Sequence, residues 1–155
     1  MRIGLISDTH GLLRPEVPTA LRGVQVILHA GDVGGAPILR ELRRIAPVRA
    51  VRGNVDAADD PDLEPEIELT ADGTTIHVSH GHELGSPTPA TLLSRYSADV
   101  LVYGHTHRAL IQRAGSRLVV NPGAAGPKRF DIKPSVAILS VEKGEVRVEI
   151  VALGR

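Results

Sequence analysis

The stretch Arg2-Ile3-Gly4-Leu5-Ile6-Ser7-Asp8-Thr9-His10 opens the chain with a short apolar run that breaks into polar residues. A run of this length bounded by turn signals reads as a buried strand. The same grammar recurs at Val24 to His29, followed by Ala30-Gly31-Asp32, and at Pro47 to Val51, followed by Arg52-Gly53-Asn54. Between these runs, Pro15 to Arg22 suits a short helix. Ala36 to Ile45 carries Ile38, Leu39, Leu42 and Ile45 at helical spacing. This β-α-β-α-β start predicts a parallel, buried sheet.

The second half reads differently. Glu66 to Leu69 and Thr74 to Ser79 flank Asp72-Gly73, a hairpin signal. Ala109 to Arg113 and Arg117 to Val120 flank a turn containing Gly115, and Ser135 to Val141 and Glu145 to Val151 flank Gly144. Thr88 to Tyr96 suits a helix and Val100 to Tyr103 a strand. The expected class is therefore α/β (α+β): two sheets packed face to face with helices outside. The polar stretch Asp56 to Pro65 reads as a surface loop. No internal repeat interrupts the 155 residues, so a single domain spanning 1–155 is expected.

Composition narrows the function. Lys plus Arg equals Asp plus Glu, which argues against a polyanion binder, so nucleic acid is an improbable partner. One Phe, two Tyr and no Trp leave few faces on which bases could stack. The chain has no cysteine, so any metal must be held by His, Asp, Glu, Asn or backbone oxygen. The first strand follows Met1 directly and no apolar run approaches the roughly 20 residues of a membrane span. A cytoplasmic enzyme without membrane contact is the expectation.

The informative residues follow the strands. The strand ends carry Asp8-Thr9-His10, Gly31-Asp32, Gly53-Asn54, His80-Gly81-His82, Gly104-His105-Thr106-His107 and Asn121-Pro122-Gly123. Ligand sites of α/β sheets lie at the carboxyl ends of strands. Asp, Asn and five of the seven His gather there. Such a mixed donor set suits Mn²⁺, Fe²⁺, Co²⁺, Ni²⁺ or Zn²⁺. Two ions roughly 3.5–4 Å apart would clamp the attacking and leaving oxygens of an in-line displacement. Asp32 is the choice for a shared ligand, since a carboxylate offers one oxygen to each ion.

These motifs, in this order, resemble the calcineurin-like metallophosphoesterase superfamily, and the small size resembles its compact bacterial and archaeal phosphodiesterase branch. The resemblance covers Arg2 to about Val151 and rests on five ordered motifs. It implies a four-layer α-β-β-α sandwich of two mixed sheets with helices outside. It implies two divalent metal ions: Asp8, His10 and His107 on the first, Asn54, His80 and His105 on the second, Asp32 bridging. A hydroxide between the ions would then attack the phosphorus of a small phosphoester, with Asn54 in the reacting centre. Protein-phosphatase relatives place a His after the Asn and an Asp three residues after the bridging Asp, an acid dyad for the leaving group. Here those positions hold Val55 and Gly35. The expected activity is accordingly that of a phosphodiesterase, with His82 the candidate to contact phosphate or act as acid. The alternatives are a phosphatase or nuclease of the same superfamily, or a non-catalytic scaffold on the same fold. A homodimer is plausible from the resemblance.

The other conspicuous residues are given structural roles. His29 is expected behind Asp32 or in the core, His77 in a strand, and Asn121-Pro122-Gly123 as a turn in the site wall. Arg40, Arg43 and Arg44 should form a solvated helix face, and Lys128 and Arg129 a surface loop.

Overall fold

The computed structural model describes residues 1–129 and 131–154. In chain order its elements are β1 (Arg2–Ile6), α1 (Val17–Ala20), β2 (Val26–His29), α2 (Ala36–Arg43), β3 (Val48–Ala50), β4 (Ile67–Ala71), β5 (Thr74–Val78), a 3-10 turn (His82–Leu84), α3 (Pro89–Arg95), β6 (Val100–Val102), β7 (Leu110–Ala114), β8 (Arg117–Asn121), β9 (Ser135–Glu142) and β10 (Glu145–Ala152). One sheet has the order β10-β9-β1-β2-β3 and the other β4-β5-β6-β8-β7. Both are mixed. Strands β1, β2 and β3 run parallel, as do β5, β6 and β8, while the hairpin partners run antiparallel.

The period-2 alternation of strand side chains explains the layering. Ile3 and Leu5 of β1 enter the core between the sheets with Leu28, Ile76, Val78, Val100, Val102, Leu118, Val120 and Leu139. Their neighbours Ile6 and Ile27 face the opposite way, into a second core with Val17, Leu21, Ile38, Leu39 and Leu42 from the α1 and α2 side. On the far face of the other sheet, Leu101 and Val119 pack on Leu92 of α3. The result is helices, sheet, sheet, helix. At Gly4 a Cβ would come within 3.1 Å of Leu21, so α1 lies close on the sheet.

Helix α1 is shorter than the Pro15 to Arg22 segment predicted. Only Ala20 and Leu21 make full-turn bonds, to Glu16 and Val17, and Arg22 bonds the nearer Thr19 carbonyl instead. Gly23 at φ 85° then leads the chain away. The hairpin turns Asp72-Gly73 and Lys143-Gly144 hold both central residues at positive φ, the pattern that matches strand twist. Among the described residues no helix is long and apolar enough to cross a membrane.

Asp56 to Pro65 forms the surface loop expected, with most of its residues exposed. It is pinned at its far end, where Glu64 bonds across to Ala50 and Arg52, and Leu63 is buried. It is pinned at its near end by Asp56, whose carboxylate turns inward.

Leu139 of β9 is fully buried between the sheets, far in sequence from the strand ends. Leu139→Ala should lower unfolding free energy by about 2–5 kcal/mol through lost contacts and the cavity left behind. A urea titration compared with the unsubstituted protein checks this.

Candidate metal centre

The carboxyl ends of β1, β2 and β3 meet those of β5, β6 and β8 along one seam. Close backbone approach makes the meeting possible. A Cβ on Gly31 would stand 2.6 Å from His80 Nδ1, and one on Gly104 would stand 2.1 Å from Ser7 Oγ. Only glycine fits between such neighbours.

The chain leaves β1, β2 and β6 by sharp bends. Asp8, His10, Asp32, His105 and His107 all have positive φ, between 48° and 71°. Among the described non-glycine residues only Asp72 and Lys143, both in hairpin turns, share this conformation. It costs about 1–2 kcal/mol per residue, and such strain concentrates at functional sites.

These bends bring the sequence-predicted residues together in two overlapping groups. In the first, His107 Nε2 lies 3.4 Å and His10 Nε2 3.7 Å from Asp8 Oδ1, and the two imidazole nitrogens are 3.3 Å apart. In the second, His80 Nε2 lies 3.0 Å from Asn54 Oδ1, and His105 Nδ1 lies 3.2 Å from the same oxygen. Asp32 Oδ2 sits between the groups, 3.7 Å from His10 Nε2 and 3.2 Å from His80 Nε2. Asp8, Asp32 and His80 also lie within metal-ligand reach of one another.

The donor chemistry fits cations. Asp8 Oδ2 accepts from Ser7 Oγ at 2.6 Å and from the His105 amide at 3.2 Å. Asp8 Oδ1, facing His10 and His107, is buried with no hydrogen-bond partner. Burying a carboxylate oxygen unpaired is expensive, and a cation removes the cost. His80 Nδ1 donates to the Ala30 carbonyl at 2.8 Å. That bond turns Nε2 toward Asn54 Oδ1 and Asp32 Oδ2, so three acceptor-type atoms converge.

The electrostatics follow. Burial opposes the charge on Asp8, yet His10, His107, His80 and Ser7 outweigh it and hold the carboxyl well below the usual carboxylate range. Burial likewise opposes protonation of His80, but its bond to Asp32 and the charges of Asp8 and Asp32 raise its pKa.

His82 stands at the rim. Its ring centroid is 5.4 Å from that of His80 and 6.4 Å from that of His105. His29 accepts from the Gly31 amide through Nδ1 and donates through Nε2 to Thr9 Oγ1, which donates to the Val33 carbonyl. Burial pushes its pKa down to about 4, so it braces the Asp32 turn as a neutral ring. His77 bonds Glu66 and stacks on Tyr96, away from the groups. Asn121 donates to Gly104 O and Thr106 Oγ1, supporting the turn that presents His105 and His107. Lys128 and Arg129 are exposed.

Sequence reasoning missed Asp56. Its carboxylate accepts amide bonds from Asp32 (2.9 Å), Val33 (3.0 Å), Gly34 (3.3 Å) and Gly53 (2.8 Å). In return, Asp32 Oδ1 accepts from the Val55 amide at 3.0 Å. The Asp32 and Asn54 turns are thereby braced to each other. A carboxylate three residues beyond Gly53 in a turn was the available signal, but the other three partner amides lie more than 20 residues upstream. Asp56→Ala should weaken Mn²⁺ binding by about 10–100-fold, the usual penalty for losing the support behind a ligand. Calorimetric titration of Mn²⁺, with circular dichroism to confirm that the fold persists, measures the loss.

Comparison with known proteins agrees with this geometry. The calcineurin-like phosphoesterase superfamily domain matches residues 1–144. A probable metallophosphoesterase of Methanothermobacter thermautotrophicus is 35% identical, covering 99% of this chain and 94% of that protein. A phosphodiesterase of Methanocaldococcus jannaschii is 30% identical, covering 95% of this chain and 97% of that protein. A single mutant of Vps29 from Entamoeba histolytica superposes with a TM-score of 0.82 at 23% identity, covering 99% of this chain and 100% of that one, a likeness of fold. With a family match over nearly its whole length and relatives of like size, the chain belongs to the calcineurin-like phosphoesterase superfamily.

Proposed function

We propose that this protein is a metal-dependent phosphodiesterase with two divalent cations, one held by Asp8, His10 and His107, the other by Asn54, His80 and His105, with Asp32 shared. The observation that carries the reading is the pair of carboxylate oxygens at the seam: Asp8 Oδ1, buried without a partner, and Asp32 Oδ2, within 4 Å of a histidine of each group. When bound, the cations would polarise the phosphoryl oxygens and make water a nucleophile near neutral pH.

The chain's own residues do the rest. Asp8 and Asp32 supply negative charge that offsets the repulsion between neighbouring cations. The Ala30 carbonyl fixes the tautomer of His80. Asn54 offers a neutral oxygen and lies exposed at the surface where an ester would approach. The rigid, hydrogen-bonded turns hold these groups before substrate arrives, which is the condition for electrostatic stabilisation of a transition state. Val55 and Gly35 carry no proton to give to a leaving group. A diester whose leaving group departs as a weak base then suits the site better than a phosphomonoester of an alkyl alcohol. His82, whose ring lies 5.4 Å from that of His80, is our candidate to contact the phosphate or to protonate the leaving group.

After chelation, adding Mn²⁺, Ni²⁺, Co²⁺ or Zn²⁺ should restore cleavage of bis(4-nitrophenyl) phosphate, with 4-nitrophenyl phosphate the slower substrate. Failure of every metal to restore either activity, with about two ions bound per chain, would sink the proposal. His82→Ala should retain metal but lower kcat by about 10–100-fold, within the range of a lost acid–base group. An unchanged kcat would remove His82 from the chemistry.

A further inference from the structure

One bend of the chain serves both histidine groups. Gly104 to Arg108 carries His105, which stands with Asn54 and His80, and His107, which stands with Asp8 and His10. Both residues have positive φ, 71° and 64°, so neither is held by the regular bonding of a strand. Thr106 between them is exposed, so packing of its side chain does not hold the bend. Hydrogen bonds to one buried side-chain amide do.

Asn121, the last residue of β8, is fully buried. Its Nδ2 donates to the Gly104 carbonyl at 3.2 Å and to Thr106 Oγ1 at 3.0 Å, and its Oδ1 accepts from the Gly123 amide at 2.9 Å. A backbone carbonyl only accepts and a backbone N–H only donates, so these partners leave a single orientation for the side chain. The Gly123 end is itself anchored. Ser135 Oγ, at the start of β9, donates to the Pro122 carbonyl at 2.7 Å, and a Cβ on Gly123 would stand 2.1 Å from Ser135 Oγ. Across the seam, Asp8 Oδ2 accepts from the His105 amide at 3.2 Å. The bend is thus gripped from both sheets, by the Asp8 that follows β1 and by the Asn121 that ends β8.

We infer that Asn121 is a positioning residue for His105 and His107 at once, so that one buried amide sets the geometry of both cation groups, an inference that rests on the two-cation reading above. The other supports have a different reach. The Ala30 carbonyl orients His80, and Asp56 joins the Asp32 and Asn54 turns. Asn121 acts through the Gly104 carbonyl and the Thr106 hydroxyl, which flank His105 in the chain. A shift of the bend moves one ligand of each ion, so the two affinities fall together.

Calorimetric titration with Mn²⁺ tests this on Asn121→Ala, Thr106→Val and Thr106→Ser, with circular dichroism to follow the fold. Asn121→Ala should weaken both binding events by about 10–100-fold, the range for a lost support behind a ligand. Thr106→Val removes one acceptor at an exposed position and should weaken both by about three- to tenfold, whereas Thr106→Ser keeps the hydroxyl and should stay within about twofold. Should Asn121→Ala fail to fold, Thr106→Val decides alone. A second readout needs no metal. In the metal-free protein, Asn121→Ala and Thr106→Val should speed hydrogen exchange of the His105 amide, by about tenfold in the former. The Ile27 amide, bonded to the Pro47 carbonyl at 2.8 Å, should exchange as before. A loss confined to one ion, or unchanged affinities in the folded variants, overturns the inference and leaves the two-cation reading intact. If the unsubstituted protein binds fewer than two ions while His105 exchange still quickens in the variants, Asn121 stands as the residue that positions the bend and the two-cation reading falls.

Discussion

The bond network of Asp56 is the joint on which the candidate centre depends. One carboxylate collects four amide N–H groups from two turns that belong to different strands, β2 and β3. Hydrogen bonds to a charged acceptor are roughly twice as strong as neutral ones, and here they also replace the ladder bonds that end with the strands. Asp32 answers with a bond to the Val55 amide, so neither turn can move without the other. Through this brace, the oxygen between the two histidine groups is held by backbone rather than by a free rotamer.

Around that joint the structure tolerates conditions that folding alone would avoid. Five bends at positive φ, two buried carboxylates and several imidazoles occupy one seam. The cores on either side make this bearable. Ile3, Leu5 and Leu28 of one sheet pack on Ile76, Val102 and Val120 of the other, and this burial offsets local strain of about 1–2 kcal/mol per bent residue. Like-signed oxygens facing one another are sensible only if positive charge joins them, and the family to which the chain belongs implies a divalent cation.

Much of this was legible in the residues. Each apolar run became a strand and each Gly-containing hairpin turn closed where its chemistry placed it, because strand alternation and turn geometry depend on near neighbours only. Asp8, His10, Asp32, Asn54, His80, His105 and His107 stood out as strand-end residues, and the ordered motifs that resemble the calcineurin-like superfamily singled them out as a ligand set. The length of α1 was misjudged because periodicity does not show where helical bonding stops: Arg22 bonds Thr19 instead of continuing the helix. The Asp56 segment was read correctly as a surface loop, but the role of Asp56 within it was missed because Asp32, Val33 and Gly34 are distant in sequence.

The sequence by itself determined the strands, the turn types and the inventory of candidate metal ligands at the strand ends, all of which are local consequences of apolar spacing and glycine. The family resemblance implied how those side chains group, but only the tertiary structure gave the distances, with Asp32 Oδ2 between the groups, and decided that Asp56 braces two turns. Those relations join residues tens of positions apart, as Asp8 and His107 are. They are set by how two sheets pack and by which glycines let backbones touch, and neither is encoded at any single position.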